Sequence, residues 1–250
     1  MSRFINNFIL AAFLVAALFT TNAAFSQQAT PAAPAPKWEA STSAGVTLTR
    51  GNSDTVLFTA NILAAKKWDK NELRLGADGS YGENNNVKSA ESAHAFGQYN
   101  RLFNEKAFGY LRADALHDGV ADVDYRLTLS PGAGYYFIKN AKTILSGEVG
   151  PGFVCEKLGS DTMQYLTLRV AQRFEHKIND RVRIWESLEW LPQVDDWNNY
   201  ILNSEIGVET GLTDRLSLRV YAQDTYDNVP ALGRDKNDLK VITAIAYKFK

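Results

Sequence analysis

The sequence predicts an all-β chain: a closed, antiparallel, up-and-down transmembrane β-barrel of about twelve strands, with short periplasmic turns and longer extracellular loops. Three observations carry the prediction. Beyond the first residues, no apolar run approaches the roughly eighteen that a helical span needs. Extended segments long enough for a barrel wall recur from Lys37 onward. The connections between them alternate short and long, as outer-membrane barrels require.

The chain opens with "MSRFINNFILAAFLVAALFTTNAAFSQQ", in which the cation Arg3 precedes an apolar run from Phe8 to Phe19. That run is too short to span a bilayer and suits a signal-peptide core, and Ala24-Phe25-Ser26 fits a small-x-small cleavage site. Residues 1–26 are therefore expected to be a signal peptide. The Pro/Ala-rich stretch 27–36 is uncharged and aperiodic, and reads as a linker. Residues 37–250 are left as one barrel domain.

From there the expected strands are Lys37–Arg50, Thr55–Trp68, Glu72–Asn84, Ser89–Phe103, Ala107–Asp118, Asp124–Ile138, Thr143–Glu156, Met163–His176, Arg181–Pro192, Tyr200–Gly211, Leu216–Asp227 and Asp238–Phe249. Tight connections are "DKN" (Asp69–Asn71), "NEK" (Asn104–Lys106), "KNAK" (Lys139–Lys142), "KIND" (Lys177–Asp180) and "TDR" (Thr213–Arg215). Longer ones fall at Asn84–Lys88, Gly119–Val123, Lys157–Thr162, Gln193–Asn199 and Asn228–Asn237, while the short "GNSD" (Gly51–Asp54) occupies a long-loop slot. The final strand, "DLKVITAIAYKFK", has period 2 and an aromatic end. In a closed barrel it pairs with the first strand, so no edge stays bare.

Aromatic residues fall in two bands. Trp38, Trp68, Phe103, Phe137, Phe174, Tyr247 and Phe249 mark the short-turn side; Tyr81, Trp190, Trp197, Tyr200 and Tyr226 mark the other. Two such bands match the girdles at the two membrane interfaces. Alternation is clean in Leu166–Glu175 and Leu216–Gln223 but not in "RVRIWESLEWLP", where it puts Glu186 on the lipid face with Val182, Ile184 and Leu188. A bulge near Trp185, a partner surface, or a barrel outside lipid would each account for that charge. "SPGAGYY" (Ser130–Tyr136) and "EVGPGF" (Glu148–Phe153) predict bends or bulges in neighbouring strands.

Composition excludes several function classes. A net charge of -1 gives no electrostatic footprint for nucleic acid. A single cysteine, Cys155, rules out an intramolecular disulfide or a zinc cluster, and reads as a packed or lipid-facing thiol. Mean hydropathy of -0.25 fits a soluble β-protein as well as a barrel, because a barrel strand shows lipid only every second residue.

Chemistry-bearing side chains are few. His117 lies among Asp114, Asp118, Asp122 and Asp124, which suits a divalent cation and equally a solvated loop. Ser92 and His94 share one strand face, the minimum for a barrel hydrolase, without a nucleophile elbow. His176 beside a tight turn reads as a surface residue, and no metal or cofactor site is assigned. Candidate lumen-lining residues are Arg74, Asp78, Arg112, Asp114, Arg126, Glu148 and Arg169, then Arg173, Arg183, Glu189, Glu205, Glu209 and Arg219. Both signs occur in comparable number, so strong ion selectivity does not follow. A barrel of this size either holds a narrow aqueous path or closes it with Arg–carboxylate pairs, and both remain open.

The stretch "SAGVTLTRGNSDTVLFTANILAAKKW" resembles the start of a family of salt-induced bacterial outer-membrane proteins, a domain of unknown function. Its early strand ends in a Gly-Asn-Ser/Thr turn, here Gly51, Asn52 and Ser53, followed by Thr55. "SPGAGYYFI", "GEVGPGF", "RFEHKINDRVRIWESLEWLP" and "ETGLTDRLSLRVYAQDTYDNVP" extend the resemblance from about Ala44 to Phe249; the chain departs from the pattern in carrying Lys250 after the terminal aromatic. The resemblance implies an outer-membrane barrel of Gram-negative bacteria with no established reaction, linked to salt stress. Its expected partners are outer-membrane lipid and the barrel-assembly machinery. Three readings are therefore carried forward: a non-enzymatic small-solute channel or envelope structural protein, a lipid-modifying barrel enzyme, and a soluble periplasmic barrel that binds a ligand.

Overall fold

The computed structural model describes residues 37–50, 55–84 and 87–249. The expected signal peptide (1–26), linker (27–36), Gly51–Asp54 connection, part of the Asn84–Lys88 loop and Lys250 lie outside the described residues. Twelve strands follow in order: β1 (Trp38–Arg50), β2 (Thr55–Trp68), β3 (Asn71–Asn84), β4 (Val87–Leu102), β5 (Ala107–Asp118), β6 (Val123–Lys139), β7 (Thr143–Leu158), β8 (Asp161–Lys177), β9 (Val182–Pro192), β10 (Tyr200–Gly211), β11 (Leu216–Asp227) and β12 (Asn237–Phe249). Each expected segment is a strand, with ends displaced by no more than two residues. Every strand is antiparallel to its sequence neighbours, and β1 pairs with β12 from Ala40 opposite Phe249 to Arg50 opposite Leu239, closing the ring.

The pairing also sets the barrel's dimensions. Followed residue by residue from Gly45 through β2 to β7, the register reaches Asp161 on β8; followed through β12 to β9 it reaches Lys177 on the same strand. That is a stagger of sixteen residues. With about 3.3 Å rise per residue and about 4.8 Å between strands, it tilts the strands by about 42° and sets a backbone radius of about 12–13 Å. Side chains from opposite walls can therefore meet in the middle.

Four tight turns share one local device. The side-chain oxygens of Asn104, Asn140, Asn179 and Thr213 each accept hydrogen bonds from the backbone N–H groups two and three residues on, at 2.7–3.3 Å. The residue pattern is Asn/Thr-x-Lys/Arg followed by the next strand, and the side chain satisfies amides that the ladder leaves unpaired. "DKN" solves the same problem differently, with Asp69 in the left-handed region at φ 48°.

The register shifts between Gly82 and Glu83, Leu116 and Asp118, Val123 and Tyr125, and Tyr136 and Ile138. The last falls at the end of "SPGAGYY". Between Leu129–Phe153 and Ala133–Val149 the register itself holds, with Pro131 and Pro151 opposite each other and neither offering an N–H.

The two faces separate strongly. Outward between the rims, β2 to β7 present residues such as Ile62, Leu75, Ala95, Leu111, Leu129, Val149 and Phe153, with no charged side chain. Glu186 is the departure. Its strand runs without a register shift along β8 and β10, so no bulge turns it inward, and it sits on the outer wall between Phe174 and Ile206. Replacing it by leucine removes a carboxylate from an apolar surround. Glu186→Leu is expected to stabilise the barrel by on the order of 1 kcal/mol, read as a higher heat-unfolding temperature in detergent micelles. A lower unfolding temperature would mean that Glu186 serves a partner on that wall.

Candidate functional site: the charged lumen

Because side chains alternate, every second residue of every strand points into the lumen. All thirteen candidate charged residues lie on that face. Arg74 and Asp78 project from β3, Arg112 and Asp114 from β5, Arg126 from β6 and Glu148 from β7. Arg169 and Arg173 project from β8, Arg183 and Glu189 from β9, Glu205 and Glu209 from β10, and Arg219 from β11.

They are joined into a network that crosses the barrel. Arg169 donates through Nε to Glu189 at 2.6 Å and through Nη1 to Glu148 at 2.8 Å. Gln98 reaches Glu148 from β4 at 2.7 Å, and Arg112 on β5 stands 4.0 Å from Glu189. Arg112 also grips Asp114 through two nitrogens at 2.6 and 2.9 Å. His94 is held between Asp78 at 3.2 Å and Asp114 at 3.3 Å. Nearer the long-loop end, Arg126 donates to Glu156 and, at 2.8 Å, to Asp227 on β11. Lys240 of β12 reaches Ser92 on β4 at 3.3 Å. Toward the short turns, Glu209 meets Arg183 and Arg219 at 2.8 Å each and Lys248 at 2.7 Å, while Arg219 also donates to Ser41 at 3.2 Å. The most deeply buried of these charges, Arg126, Arg169, Glu156 and Glu209, are all paired, as burial demands, and the pairs are charge-assisted and geometrically demanding.

The network surrounds a cavity of about 420 Å³. Its lining runs from Pro230, Ala231 and Lys236 of the β11–β12 loop down to Arg74, Arg173, Arg183 and Trp185. Below that level the lumen is packed. Phe108, Tyr110 and Tyr136 are buried, with the Phe108 and Tyr136 rings 4.9 Å apart. Glu72 takes the Tyr136 hydroxyl and the Lys139 ammonium, the latter at 3.1 Å. The space for these rings comes from glycines on the neighbouring wall. A Cβ at Gly134 would fall 2.2 Å from the Phe108 ring, and one at Gly207 2.3 Å from that of Trp185. The shape is a vestibule that opens at the long-loop end and stops on an aromatic floor.

At the mouth, the Asn228–Lys236 loop folds inward. Ala231 is 8% exposed and packs with Val123 and Leu158, with Ala121 and Met163 beside them. The Arg126–Asp227 link ties the base of this loop to the far wall.

Charge is unevenly spread along the lumen. Around the floor stand Lys139, Arg173, Arg183, Arg219, Lys248 and Arg74, against Glu39, Glu72, Glu175 and Glu209. Balanced composition thus conceals a basic floor. Glu72, Phe108, Tyr110, Tyr136, Lys139, Glu175, Trp185 and Lys248 were not among the sequence candidates. Their signal was the inward parity of strands already recognised, combined with glycines facing aromatic residues on adjacent strands.

The other candidates take plain roles. The Ser92 hydroxyl is 2.6 Å from that of Ser80, not on His94, so Ser92 and His94 form no nucleophile–base pair. The Nδ1–H of His117 faces the Asp124 carbonyl at 2.9 Å, Asp118 accepts from the amides of Val120 and Ala121, and Asp124 pairs with Lys157. His176 meets the Thr143 hydroxyl at 2.9 Å, and Cys155 points outward between Leu127 and Gln164.

The banded aromatics sit on the outer rims. At the short-turn end Tyr247 packs on Phe249 at 5.1 Å and Phe137 on Tyr135 at 5.5 Å, while Phe103 is exposed and Phe174 stacks with His176. There Lys66 lies over both Trp38 and Trp68, at 5.5 and 5.8 Å. At the other end Trp190 meets Trp197 at 5.8 Å and Tyr200 meets Tyr226 at 5.9 Å, with Tyr81 exposed nearby.

A family model described as "Protein of unknown function, DUF481" matches residues 42–249. No curated protein matches the chain in sequence. Among solved structures, the NanC porin is similar with a TM-score of 0.58 at 7% identity, covering 83% of this chain and 100% of its own. A KdgM porin, solved in complex with disordered oligogalacturonate, is similar with a TM-score of 0.50 at 8% identity, covering 84% and 99%. At such identities the likeness is one of fold.

The mouth loop gives a direct test of the network. Asp227→Ala should leave the barrel folded but release the loop, speeding tryptic cleavage after Arg234 or Lys236 several-fold in micelles. Unchanged cleavage would mean that the Ala231 contacts and the Asn228 hydrogen bonds hold the loop without the cross-lumen link.

Proposed function

The chain belongs to the family described as "Protein of unknown function, DUF481", and from that premise we propose that it is a non-enzymatic outer-membrane β-barrel that passes small solutes through a narrow, normally closed lumen. The observation that carries this reading is the vestibule itself: a polar, charge-lined space whose blockage is made of side chains and not of backbone. Phe108 and Tyr136 can change rotamer without breaking a ladder hydrogen bond, whereas the wall cannot move without doing so.

Membrane placement is supported by the uncharged outer band of β2 to β7, by aromatic rims above and below it, and by the porin fold of the similar structures. A soluble ligand-binding barrel would not expose Phe58, Ile62, Leu166 and Ile206 on its outer wall, where they are 58–79% accessible. In this placement the short turns face the periplasm and the vestibule opens to the exterior. An envelope structural role remains the second reading, favoured by the floor if it never opens. The link to salt stress comes from the sequence resemblance. It gains a physical basis from a lumen held by ion pairs, whose more exposed members weaken as ionic strength rises.

Conductance in planar bilayers tests the channel. The parent protein should show small or rare openings, and Phe108→Ala combined with Tyr136→Ala should raise conductance several-fold. Silence from both would refute the channel and leave the structural role.

The closing strand gives a second test. Phe249 anchors β12 at the short-turn rim beside Tyr247, and an open strand edge in lipid leaves backbone groups with no water to bond. If the barrel-assembly machinery reads this terminus, Phe249→Ala should lower the folded-to-unfolded ratio in outer-membrane fractions, while deleting Lys250 should be neutral. Equal ratios for parent and both variants would show that the terminal aromatic plays no part in assembly.

A further inference from the structure

Six lumen arginines have carboxylate partners: Arg112, Arg126, Arg169, Arg173, Arg183 and Arg219. Arg74 is different. Among the described residues it has neither a carboxylate within ion-pair distance nor a hydrogen-bond partner, although it lines the cavity. A guanidinium confined in a narrow lumen without an anion loses hydration and regains little, so a fold that keeps one there bears a cost of its own.

The surroundings add to that cost. Arg74 lies one inward step above Glu72 on β3, hence directly over the floor. On one side it shares a row with Gln98 and Arg112, through the pairings of β3 with β4 and of β4 with β5. From β8 comes Arg173, which lines the same cavity and repels Arg74, while Glu175 and Glu148 act the other way from beyond ion-pair distance. Glu148 is engaged by Arg169 and Gln98, and Glu175 by Arg173 and Arg183; on the other side Arg74 shares its row with Ala65 and Glu39, whose exposed carboxylate is not within ion-pair distance of it. Gln98 donates both amide hydrogens, to Asn100 and Glu148, and its carbonyl already accepts from Arg112 at 3.3 Å; no bond from Arg74 reaches it.

We propose that Arg74, with Arg173 and Arg112, forms a binding site at the base of the vestibule for a small oxyanion, a carboxylate- or phosphate-bearing solute that enters from the long-loop end. Arg74 supplies the free planar fork that suits such groups and is the cation whose counter-charge is missing, while the paired Arg112 and Arg173 add donors beside it. A lipid headgroup is excluded by position, since the site faces the lumen under a folded mouth loop. The proposal deepens the channel reading and rests on it in one respect: solutes must reach the vestibule from outside.

The test uses the mature protein in detergent micelles at low ionic strength, titrated with sodium phosphate and separately with sodium acetate by isothermal calorimetry. Phosphate should bind the parent, and Arg74→Gln should weaken it by about tenfold or more, the loss expected for one charge-assisted contact. Lys66→Gln, a rim cation outside the lumen, should bind as the parent does. Heat-modifiable gel mobility reports that each variant is folded. Should Arg74→Gln not fold, Arg74→Lys reads the same site, because it keeps the charge and loses the fork; a partial loss is expected.

No phosphate or acetate binding by the parent overturns the proposal, as does equal affinity in the folded Arg74 variants. Binding in micelles does not require conduction. A protein that binds phosphate but never conducts keeps the site and loses the channel, whereas one that conducts with unaltered binding in Arg74→Gln keeps the channel and loses the site.

Discussion

Closure of β1 onto β12 decides the environment of nearly every side chain in this molecule. Once the ring is shut, every strand has a hydrogen-bonded neighbour on both sides and none is an edge strand. Strict alternation then leaves only two destinations, the outer wall and a lumen barely wider than two facing side chains. The stagger of the pairing ties the two together, since it sets tilt and radius and therefore which residues of opposite walls can touch. Arg126 and Asp227 are far apart in the chain, yet they meet because this radius brings β6 and β11 within reach of one guanidinium.

A lumen so narrow cannot stay simply wet and charged. Most of its arginines are neutralised by carboxylates, often two at a time, as with Arg169 between Glu148 and Glu189. Such pairs contribute little net stability, because desolvation offsets the attraction, but breaking one strands the partner at a cost of several kcal/mol. They are better understood as struts that specify one arrangement of the interior. Against that background the unpaired Arg74 and the cation-rich floor are informative, since the same chain shows elsewhere that it can supply the missing carboxylate.

Much of the fold was legible in the sequence because period 2 and turn chemistry are local signals. The β11 segment shows the inward set Ser217, Arg219 and Tyr221 against the outward set Leu216, Leu218 and Val220, and the structure keeps that division. The repeated Asn/Thr-x-Lys/Arg turns were visible as short connections, though their shared side-chain cap needs the backbone to be seen. The lumen network was legible only as a set of residues. Which level each occupies depends on the stagger, a global property, and the pairs join residues as distant as Arg219 and Ser41. The floor was missed because Phe108, Tyr110 and Tyr136 look like ordinary strand aromatics; only the facing Gly134 and Gly132 mark the seats that let them turn inward. Glu186 shows the reverse case, a local oddity for which sequence offered three explanations and the unbroken register removed one.

The floor and the mouth differ in kind, and the difference bears on how the lumen could open. At the mouth a loop is held by one cross-lumen ion pair, a small apolar contact around Ala231 and hydrogen bonds at its base, such as those of Asn228 to Asn198 and Tyr200, none of which belongs to the barrel ladder. At the floor the Phe108 ring lies on Gly134, where no side chain could replace it, and the Tyr136 hydroxyl is fixed by Glu72. Moving Phe108 alone would leave a void against bare backbone, and moving Tyr136 alone would leave Glu72 with Lys139 and a longer bond from Asn100. The two rings pack on each other, so they are expected to shift together. An anion arriving at Arg74 would place a further negative charge one inward step above Glu72, whose cationic partner is Lys139. The floor and the unpaired arginine are coupled by that proximity, through the carboxylate that latches Tyr136.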